Sequence, residues 1–254
     1  MKNNTSDKPL ITVLTVVLNG VDFLEETIQN IANQTYENIE YIIIDGGSTD
    51  GTLDVIKKYE SLVAQWISEP DEGLYDAMNK GIDLASADWI NIMNAGDKFY
   101  SNKTISEIFD GQLHNSDIIY GDMQLDREGV LQTKKAHNLD ILWKKVAFCS
   151  QSAFISTQYF KQHKFNLQFS IAADFDFFYS AYFYHNAIFE YSDTIIAIFL
   201  HGGVSNTPGG ARKQNFQVIN SYPGLHIKFN LYYLASLLPK LIEEKVKTKI
   251  RSIK

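Results

Sequence analysis

The stretch that decides the fold is "YIIIDGGSTDGT", residues 41–52, in which an apolar run ends abruptly at Asp45 and small, polar residues follow. An uninterrupted run of β-branched residues is typical of a strand that is buried on both faces, and the glycines favour a turn into the next element. A carboxylate directly after such a strand is costly to bury unless it is hydrogen-bonded or solvated in a cleft. We therefore predict that Asp45 ends a buried strand beside a ligand cleft.

Strand and helix patterns alternate on both sides of this stretch. Strands are predicted for "ITVLTVVL" (11–18), "IEYIIID" (39–45), "AQWISEP" (64–70) and "DWINIMN" (88–94), and helices for the three segments between them. This alternation predicts an α/β fold with a Rossmann-like, mostly parallel sheet flanked by helices. Because the crossovers are right-handed, the carboxyl ends of the strands share one edge, and ligands bind in the crevice there.

The pattern becomes less regular after residue 100. "DIIYGDMQLD" and "GVLQTKK" predict a hairpin or mixed sheet, "SQSAFIS" predicts a further strand, and "AADFDFFYSAYFYHN" predicts an aromatic-rich helix. Residues 204–216, with Pro208, Gly209 and Gly210, predict a mobile loop. We divide the chain into a main domain, residues 1–222, and a helical, amphipathic and basic C-terminal extension, residues 223–254.

Composition restricts the function and the location. A net charge of −7 over 254 residues argues against a general nucleic-acid binder, because phosphate contacts require a basic surface. The single cysteine, Cys149, cannot form an internal disulfide, and no signal-peptide pattern is present, so we expect a cytoplasmic protein. No window reaches the roughly 18 apolar residues that indicate a membrane span.

The chain from Lys228 onward has a different charge from the rest. Seven basic residues stand there against Glu243 and Glu244, after an aromatic and leucine-rich start. Such a segment favours peripheral contact with an anionic membrane, here the inner face of the plasma membrane. The alternative is an ordinary helix that packs on its own domain or on a partner subunit, and the sequence leaves the oligomeric state open.

Two common nucleotide-binding motifs are absent. Strand one is followed by "NGVDFL", which has one glycine and so lacks the G-x-G-x-x-G dinucleotide motif. The phosphate-loop pattern G-x-x-x-x-G-K-[ST] is absent as well. A nucleotidyltransferase would normally carry a glycine-rich, basic loop at this place, which disfavours that class. A non-catalytic protein that binds sugar nucleotides is the second alternative.

The ordered segments "TVVLNG", "IEYIIIDGGSTDGT", "WISEPDEGLYDAMNKGI", "NIMNAGDKFY", "YGD" and "IAADFDFF" resemble family 2 glycosyltransferases of the GT-A fold. The resemblance covers roughly residues 10–205 and is closest to bacterial enzymes that build surface polysaccharides of the colanic-acid type. It implies an inverting, metal-dependent transfer of a sugar from a nucleotide diphosphate sugar, most often a UDP-sugar. The implied acceptor is a hydroxyl of a saccharide or lipid-linked saccharide.

The same resemblance implies a set of donor-binding residues, with the nucleoside held where strands one and two end. They are Thr15, Val17, Asn19, Asp45, Ser48, Glu69, Asp71, Tyr75, Asn79, Lys80, Asn94 and Gln151. Val17 serves through backbone atoms as well as through its side chain. Some positions have an alternative: Asp50 in the same turn caps the next helix, Tyr75 packs into the core, and Lys80 is a solvated charge.

The family's metal position carries an acid-rich motif, for which this chain has "NAGD" with the single carboxylate Asp97. One carboxylate, diphosphate oxygens and water can hold Mg²⁺ or Mn²⁺, and the alternative is that Asp97 caps a turn. Gln151 follows Ser150 where relatives commonly have His-Gln, which makes it a candidate acceptor contact. His201 either touches the diphosphate or metal, or is structural.

By resemblance Asp174 in "IAADFDFF" is the catalytic base. Asp176, two residues on, cannot share its helix face and either accepts from the acceptor or, as we favour, caps the helix. A helix N-terminus lowers the pKa of Asp174, and desolvation would offset that effect.

Overall fold

The computed structural model describes residues 8–201, 210–224 and 226–235. Its strands are β1 (Ile11–Val17), β2 (Ile39–Asp45), β3 (Gln65–Ser68), β4 (Trp89–Ile92), β5 (Lys98–Phe99), β6 (Ile118–Arg127), β7 (Val130–Lys134), β8 (Ala153–Ser156) and β9 (Phe189–Leu200). Its helices are α1 (Val21–Ala32), α2 (Thr52–Lys58), α3 (Leu74–Leu84), α4 (Thr104–Phe109), α5 (Thr157–Gln162), α6 (Ala173–Phe183) and α7 (Gly210–Ser221), and a further helix is described over residues 227–235.

The strands form one sheet in the order β3-β2-β1-β4-β8-β6-β9-β5, with β7 paired to β6. The first four strands are parallel, as predicted, and their register places Val17 beside Asp45 and Asp45 beside Ser68. The second half is mixed: β8 runs antiparallel to both β4 and β6, whereas β9 runs parallel to β6. The predicted antiparallel hairpin is confirmed as β6–β7.

The sheet is buried on both faces, which explains why its first strands are continuous apolar runs. Alternate residues of β1 enter different cores: Val13 packs with α1, α2 and α4, and Leu14 packs with α3, α5 and α6. Gly81 of α3 lies against Leu14, where a Cβ atom would come within 2.2 Å of the leucine side chain. This close contact fixes α3, which follows the end of β3, against the sheet.

The predicted loop at residues 204–216 is wrong over its second part, because α7 begins at Gly210. Residues 204–209 lie outside the described residues. Val218 and Ile219 of α7 are buried in the main core beside α6. The Pro-Gly-Gly run therefore precedes a helix, and the helix is stabilised by burial that local composition does not reveal.

The boundary between residues 222 and 223 stays a prediction, although Phe229 of the extension is buried in the same core as α6. Within the described residues, no helix is both long enough and apolar enough to cross a bilayer. Residues 236–254, which carry most of the basic charge of the tail, lie outside the described residues.

Candidate active site

Asp45 lies at the end of β2 with its side chain fully buried. Its Oδ2 accepts hydrogen bonds from the backbone N–H groups of Gly47 (3.1 Å) and Ser48 (3.0 Å) and from the Ser68 hydroxyl (2.7 Å). Its Oδ1 is buried and has no partner among the described residues. One carboxylate oxygen thus holds the turn together, and the other still needs a donor.

The turns after β1 and β2 are tied to each other. Asn19 adopts a φ of 50°, and its backbone N–H donates to the Ser48 hydroxyl at 2.7 Å. Its side-chain Oδ1 accepts from the Thr49 N–H at 2.9 Å, and the Val17 carbonyl accepts from the Gly46 N–H at 2.9 Å. The predicted nucleoside residues Val17, Asn19 and Ser48 are therefore adjacent to Asp45 on a rigid surface.

Thr15 is placed differently from the prediction. Its hydroxyl donates to the Met93 carbonyl at 2.7 Å and accepts from the Tyr41 hydroxyl at 3.1 Å, and the side chain is fully buried. Because strand side chains alternate, Thr15 lies on the same sheet face as Val13. Its bonds to Tyr41 and Met93 bury it in the core on that face. The geometry gives no support to a ligand contact through this side chain.

Asp50 has the structural role that was the alternative for it. Its Oδ1 accepts from the Thr52 N–H (3.0 Å) and hydroxyl (2.6 Å), and its Oδ2 accepts from the Val21 N–H at 3.1 Å. Thr52 in turn accepts from the Gly20 N–H. Asp50 therefore connects the first residues of α1 and α2 and stabilises the turn that surrounds Asp45.

The segment between β3 and α3 carries a charged cluster centred on Lys80. The Lys80 ammonium lies 2.9 Å from a Glu69 carboxylate oxygen and 3.3 Å from one of Asp76, and it donates to the Pro70 carbonyl. These bonds raise the pKa of Lys80, the Glu69 hydrogen bond most of all. Lys80 and Glu69 neutralise each other in this conformation.

Asp71 lies directly over the turn that follows β2. A Cβ atom on Gly46 would come within 2.3 Å of the Asp71 Oδ2, so the Asp71 side chain would have to move if any other residue replaced this glycine. The Asp71 Oδ1 accepts from the Gly73 N–H at 2.8 Å. Asp71 thus lies over Gly46, the residue that follows Asp45, and its part in donor binding stays a prediction.

Asn79 makes structural contacts with both ends of its amide. Its Nδ2 donates to the Phe165 carbonyl at 2.9 Å, and its Oδ1 accepts from the Phe165 N–H at 3.0 Å. This pair of bonds attaches the chain before α6 to α3. Asn79 thereby positions Phe165, whose ring lies against Tyr75 with a centroid distance of 5.1 Å.

A cavity of about 180 Å³ lies next to this segment and brings distant candidates together. Its polar lining includes Tyr75, Asn94, Gln151 and Asp174. Its apolar walls are Leu74, Met78, Ile92, Val146, Phe148, Phe165 and Phe199. We call this cavity the central pocket.

Asp174 is the second residue of α6 and has limited contact with solvent. Its Oδ1 accepts from the Phe175 N–H (2.7 Å) and from the Tyr75 hydroxyl (3.2 Å), which also donates to the Ile171 carbonyl (3.0 Å). Burial raises the pKa of Asp174 in spite of these hydrogen bonds. Backbone hydrogen bonds at the start of α6 act to lower this pKa, and desolvation, which was expected as an offset, outweighs them.

Asp97 is connected to the central pocket through Gln151. The Asp97 Oδ2 accepts from the Gln151 Nε2 and its Oδ1 accepts from the Leu200 N–H, both at 2.9 Å. Gln151 also accepts from the Ser150 hydroxyl at 3.0 Å. Burial raises the pKa of Asp97 to about 7, while the two hydrogen bonds act in the opposite direction.

The oxygen atoms near Asp97 suit a hard cation, but they are few. The Asn94 Oδ1 is buried and unpaired among the described residues. No group of three or more His, Cys, Asp or Glu side chains gathers in the described part of the chain. One carboxylate and one amide oxygen fit Mg²⁺ or Mn²⁺ only if a bound diphosphate and water complete the coordination.

Asp176 corrects a further expectation, because it does not cap α6. The residue at the N-cap is Ala172, which makes no side-chain bond, and Asp176 instead accepts from the Tyr222 hydroxyl at 2.8 Å. This bond attaches the chain after α7 to α6, and burial raises the pKa of Asp176. His201 is exposed and its role stays a prediction.

Sequence reasoning missed Ser68 and Tyr222, which hold Asp45 and Asp176. Ser68 could have been found, because it is the last residue of β3 and parallel pairing places it beside Asp45. No sequence signal identifies Tyr222 as the partner of Asp176, since Tyr222 follows α7 and reaches Asp176 only because α7 packs on α6.

A mixed α/β sheet with polar groups at the ends of its parallel strands, next to a pocket lined by the half-buried carboxylate of Asp174, is typical of α/β enzymes that bind a ligand at this edge of the sheet. Residues 12–184 match the protein family described as "Glycosyl transferase family 2", and the chain belongs to this family.

Relatives and solved structures agree with this assignment. A "PGL/p-HBAD biosynthesis glycosyltransferase" of Mycobacterium bovis is 31% identical over 206 residues, 78% of this chain and 80% of the relative. The "Putative teichuronic acid biosynthesis glycosyltransferase TuaG" of Bacillus subtilis is 31% identical over 102 residues, 39% of this chain and 40% of the relative.

Two similar structures were solved with nucleotide sugars. S. aureus TarS 1-349 in complex with UDP-GlcNAc has a TM-score of 0.66 at 18% identity and covers 84% of this chain and 66% of its own. Against the same TarS fragment with UDP, this chain spans 64% of the TarS length. Mannosyltransferase PcManGT from Pyrobaculum calidifontis, in complex with GDP-Man and Mn2+, has a TM-score of 0.62 at 12% identity. The match covers 97% of this chain and 81% of the PcManGT chain. These likenesses confirm the GT-A fold.

Proposed function

We propose that this glycosyltransferase moves a sugar from a nucleotide diphosphate sugar to a hydroxyl of a saccharide or lipid-linked saccharide, with inversion, in surface-polysaccharide synthesis. The observation that carries the proposal is the central pocket, in which Asp174 faces the same cavity as Gln151, the partner of Asp97. A general base and a diphosphate site are the two elements that such a transfer requires.

The donor nucleoside is placed at Asp45. Its unpaired Oδ1 can accept a hydrogen bond from an N–H group of a base, while Oδ2 keeps the turn closed. A UDP-sugar is the proposed donor, and the glycines of the turn permit close approach of the ligand to the backbone. Asp71 and Asn19 border the same place.

Asp174 is the proposed base. Its carboxylate takes the proton from the acceptor hydroxyl while that oxygen attacks the anomeric carbon on the face opposite the leaving diphosphate. A single displacement inverts the configuration. The raised pKa of Asp174 makes it a stronger base near neutral pH than an ordinary aspartate, and the Tyr75 hydroxyl keeps its carboxylate oriented.

Asp97 and Asn94 are the residues that would hold Mg²⁺ or Mn²⁺. When bound, such an ion acts as a Lewis acid that neutralises the charge of the leaving diphosphate. Gln151 and the Leu200 N–H orient the Asp97 carboxylate for this task.

Two measurements test the proposal. The first is the unfolding temperature in the presence of UDP-, GDP- and dTDP-sugars, with and without Mn²⁺. The true donor should raise this temperature, because a ligand that binds the folded state stabilises it. Release of the nucleoside diphosphate should accompany this binding. Binding without release would assign the protein to the non-catalytic alternative. Release of sugar 1-phosphate, with transfer of the nucleoside monophosphate, would assign it to the nucleotidyltransferases.

We also propose peripheral contact with the inner face of the plasma membrane through residues 228–254. In the described part of this segment, the side chains of Leu231 and Leu234 are 63% and 58% exposed. Replacing both with Glu should abolish flotation with vesicles that contain anionic lipid. The matched control replaces the exposed Leu62 and Leu113 with Glu, and equal flotation of the two variants would disprove the contact.

A further inference from the structure

A second cavity, of about 270 Å³, lies between the β6–β7 hairpin and residues 145–149. Its rim carries four nitrogen-bearing side chains, Lys134, Lys135, His137 and Lys145. Its floor is uncharged and consists of Gly121, Met123, Val146, Ala147, Phe148 and Cys149. We call this cavity the basic pocket.

The positive charge of the basic pocket is only partly neutralised. Lys135 lies 2.8 Å from a carboxylate oxygen of the buried Asp122. In the described ranges, neither Lys134 nor Lys145 forms a salt bridge, and the Lys145 ammonium donates to the His137 Nε2 at 3.0 Å. Desolvation, followed by the charge of Lys145, lowers the pKa of His137, so His137 accepts this bond as a neutral ring.

The rim is held by backbone hydrogen bonds. The His137 N–H donates to the Ala147 carbonyl at 2.7 Å, which joins the two walls of the pocket. The Ala136 N–H donates to the Asp122 Oδ1 at 2.9 Å, and the Tyr191 hydroxyl donates to the same oxygen at 3.0 Å. The ammonium groups of Lys134 and Lys145, which form no salt bridge among the described residues, are therefore carried by a fixed backbone frame, although both residues are exposed.

The basic pocket adjoins the central pocket. Val146, Phe148 and Cys149 line both cavities, so one short stretch of chain separates them. An acceptor sugar whose hydroxyl lies at Asp174 would extend past this stretch, and its neighbouring groups would meet the lysine rim. In the proposed function the donor diphosphate lies near Asp97, on the side of residues 146–149 that faces the central pocket.

We propose that the basic pocket binds an oxyanion, a phosphate or a carboxylate, that the acceptor saccharide carries, so that the enzyme acts on anionic acceptors. This inference rests on the proposed function. Lysine ammonium groups bind such oxyanions as point charges, and two uncompensated ammonium groups match the charge of one phosphate. The uncharged floor accommodates the sugar ring that bears the anion.

The first test measures binding to the full chain by calorimetry, without donor, with inorganic phosphate and with methyl glucuronide as probes. Saturable binding of at least one probe is expected. In the Lys134→Gln/Lys145→Gln variant its affinity should fall by about tenfold or more, as when charged partners are removed. The control, Lys57→Gln/Lys103→Gln, removes the same charge from exposed positions outside the basic pocket and should bind like the unmodified chain.

The result also distinguishes the sources of the anion. Tighter binding of phosphate indicates a phosphate-bearing acceptor, and tighter binding of the glucuronide indicates an acidic sugar. Absence of saturable binding, or equal loss in both variants, would overturn the assignment of the pocket.

The second test uses turnover and separates this inference from the proposed function. Donor hydrolysis without acceptor should be the same in the unmodified chain and both variants. Octyl glucuronide or octyl glucoside 6-phosphate should stimulate release of the nucleoside diphosphate with a KM about tenfold lower than that of uncharged octyl glucoside. Only the Lys134→Gln/Lys145→Gln variant should lose this preference for an anionic acceptor. Donor hydrolysis without any anionic preference refutes the acceptor inference alone. Phosphate binding without donor hydrolysis refutes the proposed function and, with it, the assignment of the anion to an acceptor.

Discussion

The turn after β2 and the central pocket are two regions of the same sheet edge, and they treat their carboxylates in opposite ways. Asp45 and Asp50 are surrounded by donors: six hydrogen bonds to them connect three segments of the chain. Asp97 and Asp174 accept two hydrogen bonds each and have raised pKa values, because burial outweighs those bonds.

This difference separates a binding surface from a reactive site. Carboxylates that accept several hydrogen bonds from the surrounding turn stabilise the fold and present a fixed shape to a ligand. Carboxylates that are desolvated with few partners are poised to take a proton or bind a cation, and such groups are typical of active sites. The contrast predicts that replacements in the turn lower stability, and that replacements in the pocket lower turnover.

The largest effect is expected for Asp174→Asn. Turnover should fall by about 10²- to 10⁴-fold, the range typical for loss of a general base, with the affinity for the donor unchanged. The control is Asp176→Asn, a buried aspartate on the same helix turn that contacts Tyr222, which should retain turnover within a few-fold. Steady-state release of nucleoside diphosphate measures both. Equal losses in the two variants would mean that the pocket is not the reactive site.

Asp97 should make the protein less stable as the pH rises. Its folded pKa of about 7 lies above the ordinary value of 3.8, so the folded chain binds the extra proton between these values. Protonation of Asp97 therefore contributes fully to the free energy of unfolding below about pH 4, and this contribution is lost by about pH 7. The free energy of unfolding should decline by up to about 4 kcal/mol over this range. Urea unfolding in the presence of a chelator should show this decline in the unmodified protein and not in Asp97→Asn. Parallel pH profiles of the two proteins would contradict the burial of the charge.

Asp45→Ala should lower the free energy of unfolding by about 3 kcal/mol, because the three groups that donate to Asp45 lose their acceptor. Asp54→Ala, an exposed position on α2, is the control and should change it by less than about 0.5 kcal/mol. Urea unfolding at constant pH measures both. An unfolding midpoint of Asp45→Ala equal to that of the control would remove the distinction between scaffold and reactive carboxylates.

Tyr75→Phe should slow turnover about fivefold, since one neutral hydrogen bond to the base is lost. The Tyr75 hydroxyl lowers the pKa of Asp174, so its removal should raise that pKa and shift the acidic limb of the pH–rate profile to higher pH. Tyr182→Phe removes a tyrosine–aspartate hydrogen bond of the same 3.2 Å length outside the pocket and should leave the profile unchanged. A Tyr75→Phe profile that coincides with the original would exclude the orienting role.

The smallest effect is expected for Lys80→Gln. Lys80, whose side chain is 27% exposed, already contacts two carboxylates, and ion pairs that solvent reaches contribute less than about 1 kcal/mol. Stability and donor affinity should change little, as in Lys58→Gln, whose lysine pairs with Glu25 at 2.7 Å. A large loss of donor affinity by calorimetry would show that Lys80 leaves its partners for the donor, as the family resemblance implies.

Much of the first half of the fold was predictable. The apolar runs before Asp45, Asn19 and Asn94 have strand character by local rules, and alternation with helices implies parallel pairing and one functional edge. The orientation of individual side chains was less accessible. Thr15 stands in the predicted strand, but whether a residue faces the core or the edge depends on packing, and Asn79 has its amide consumed by a segment 86 residues away.

The second half of the fold shows more clearly what could not be predicted from the sequence. The helix character of α6 is visible in the sequence, but the partner of each of its acids is not. Tyr222 reaches Asp176 only because α7 packs on α6, and the Pro-Gly-Gly run before α7 predicts a loop by composition alone. The resemblance to a family identified Asp174, and the structure placed it beside Tyr75 and Gln151.

The sequence by itself determined the parallel half of the sheet, its functional edge and the types of residue at the strand ends, because hydrophobic periodicity and turn chemistry are local properties. Only the tertiary structure decided which carboxylates are held by donors and which are desolvated. It also gathered the lysines of the basic pocket, which shares a wall with the central pocket that Asp174 lines. Burial and electrostatic environment arise from atoms distant in the chain, and no local pattern encodes them.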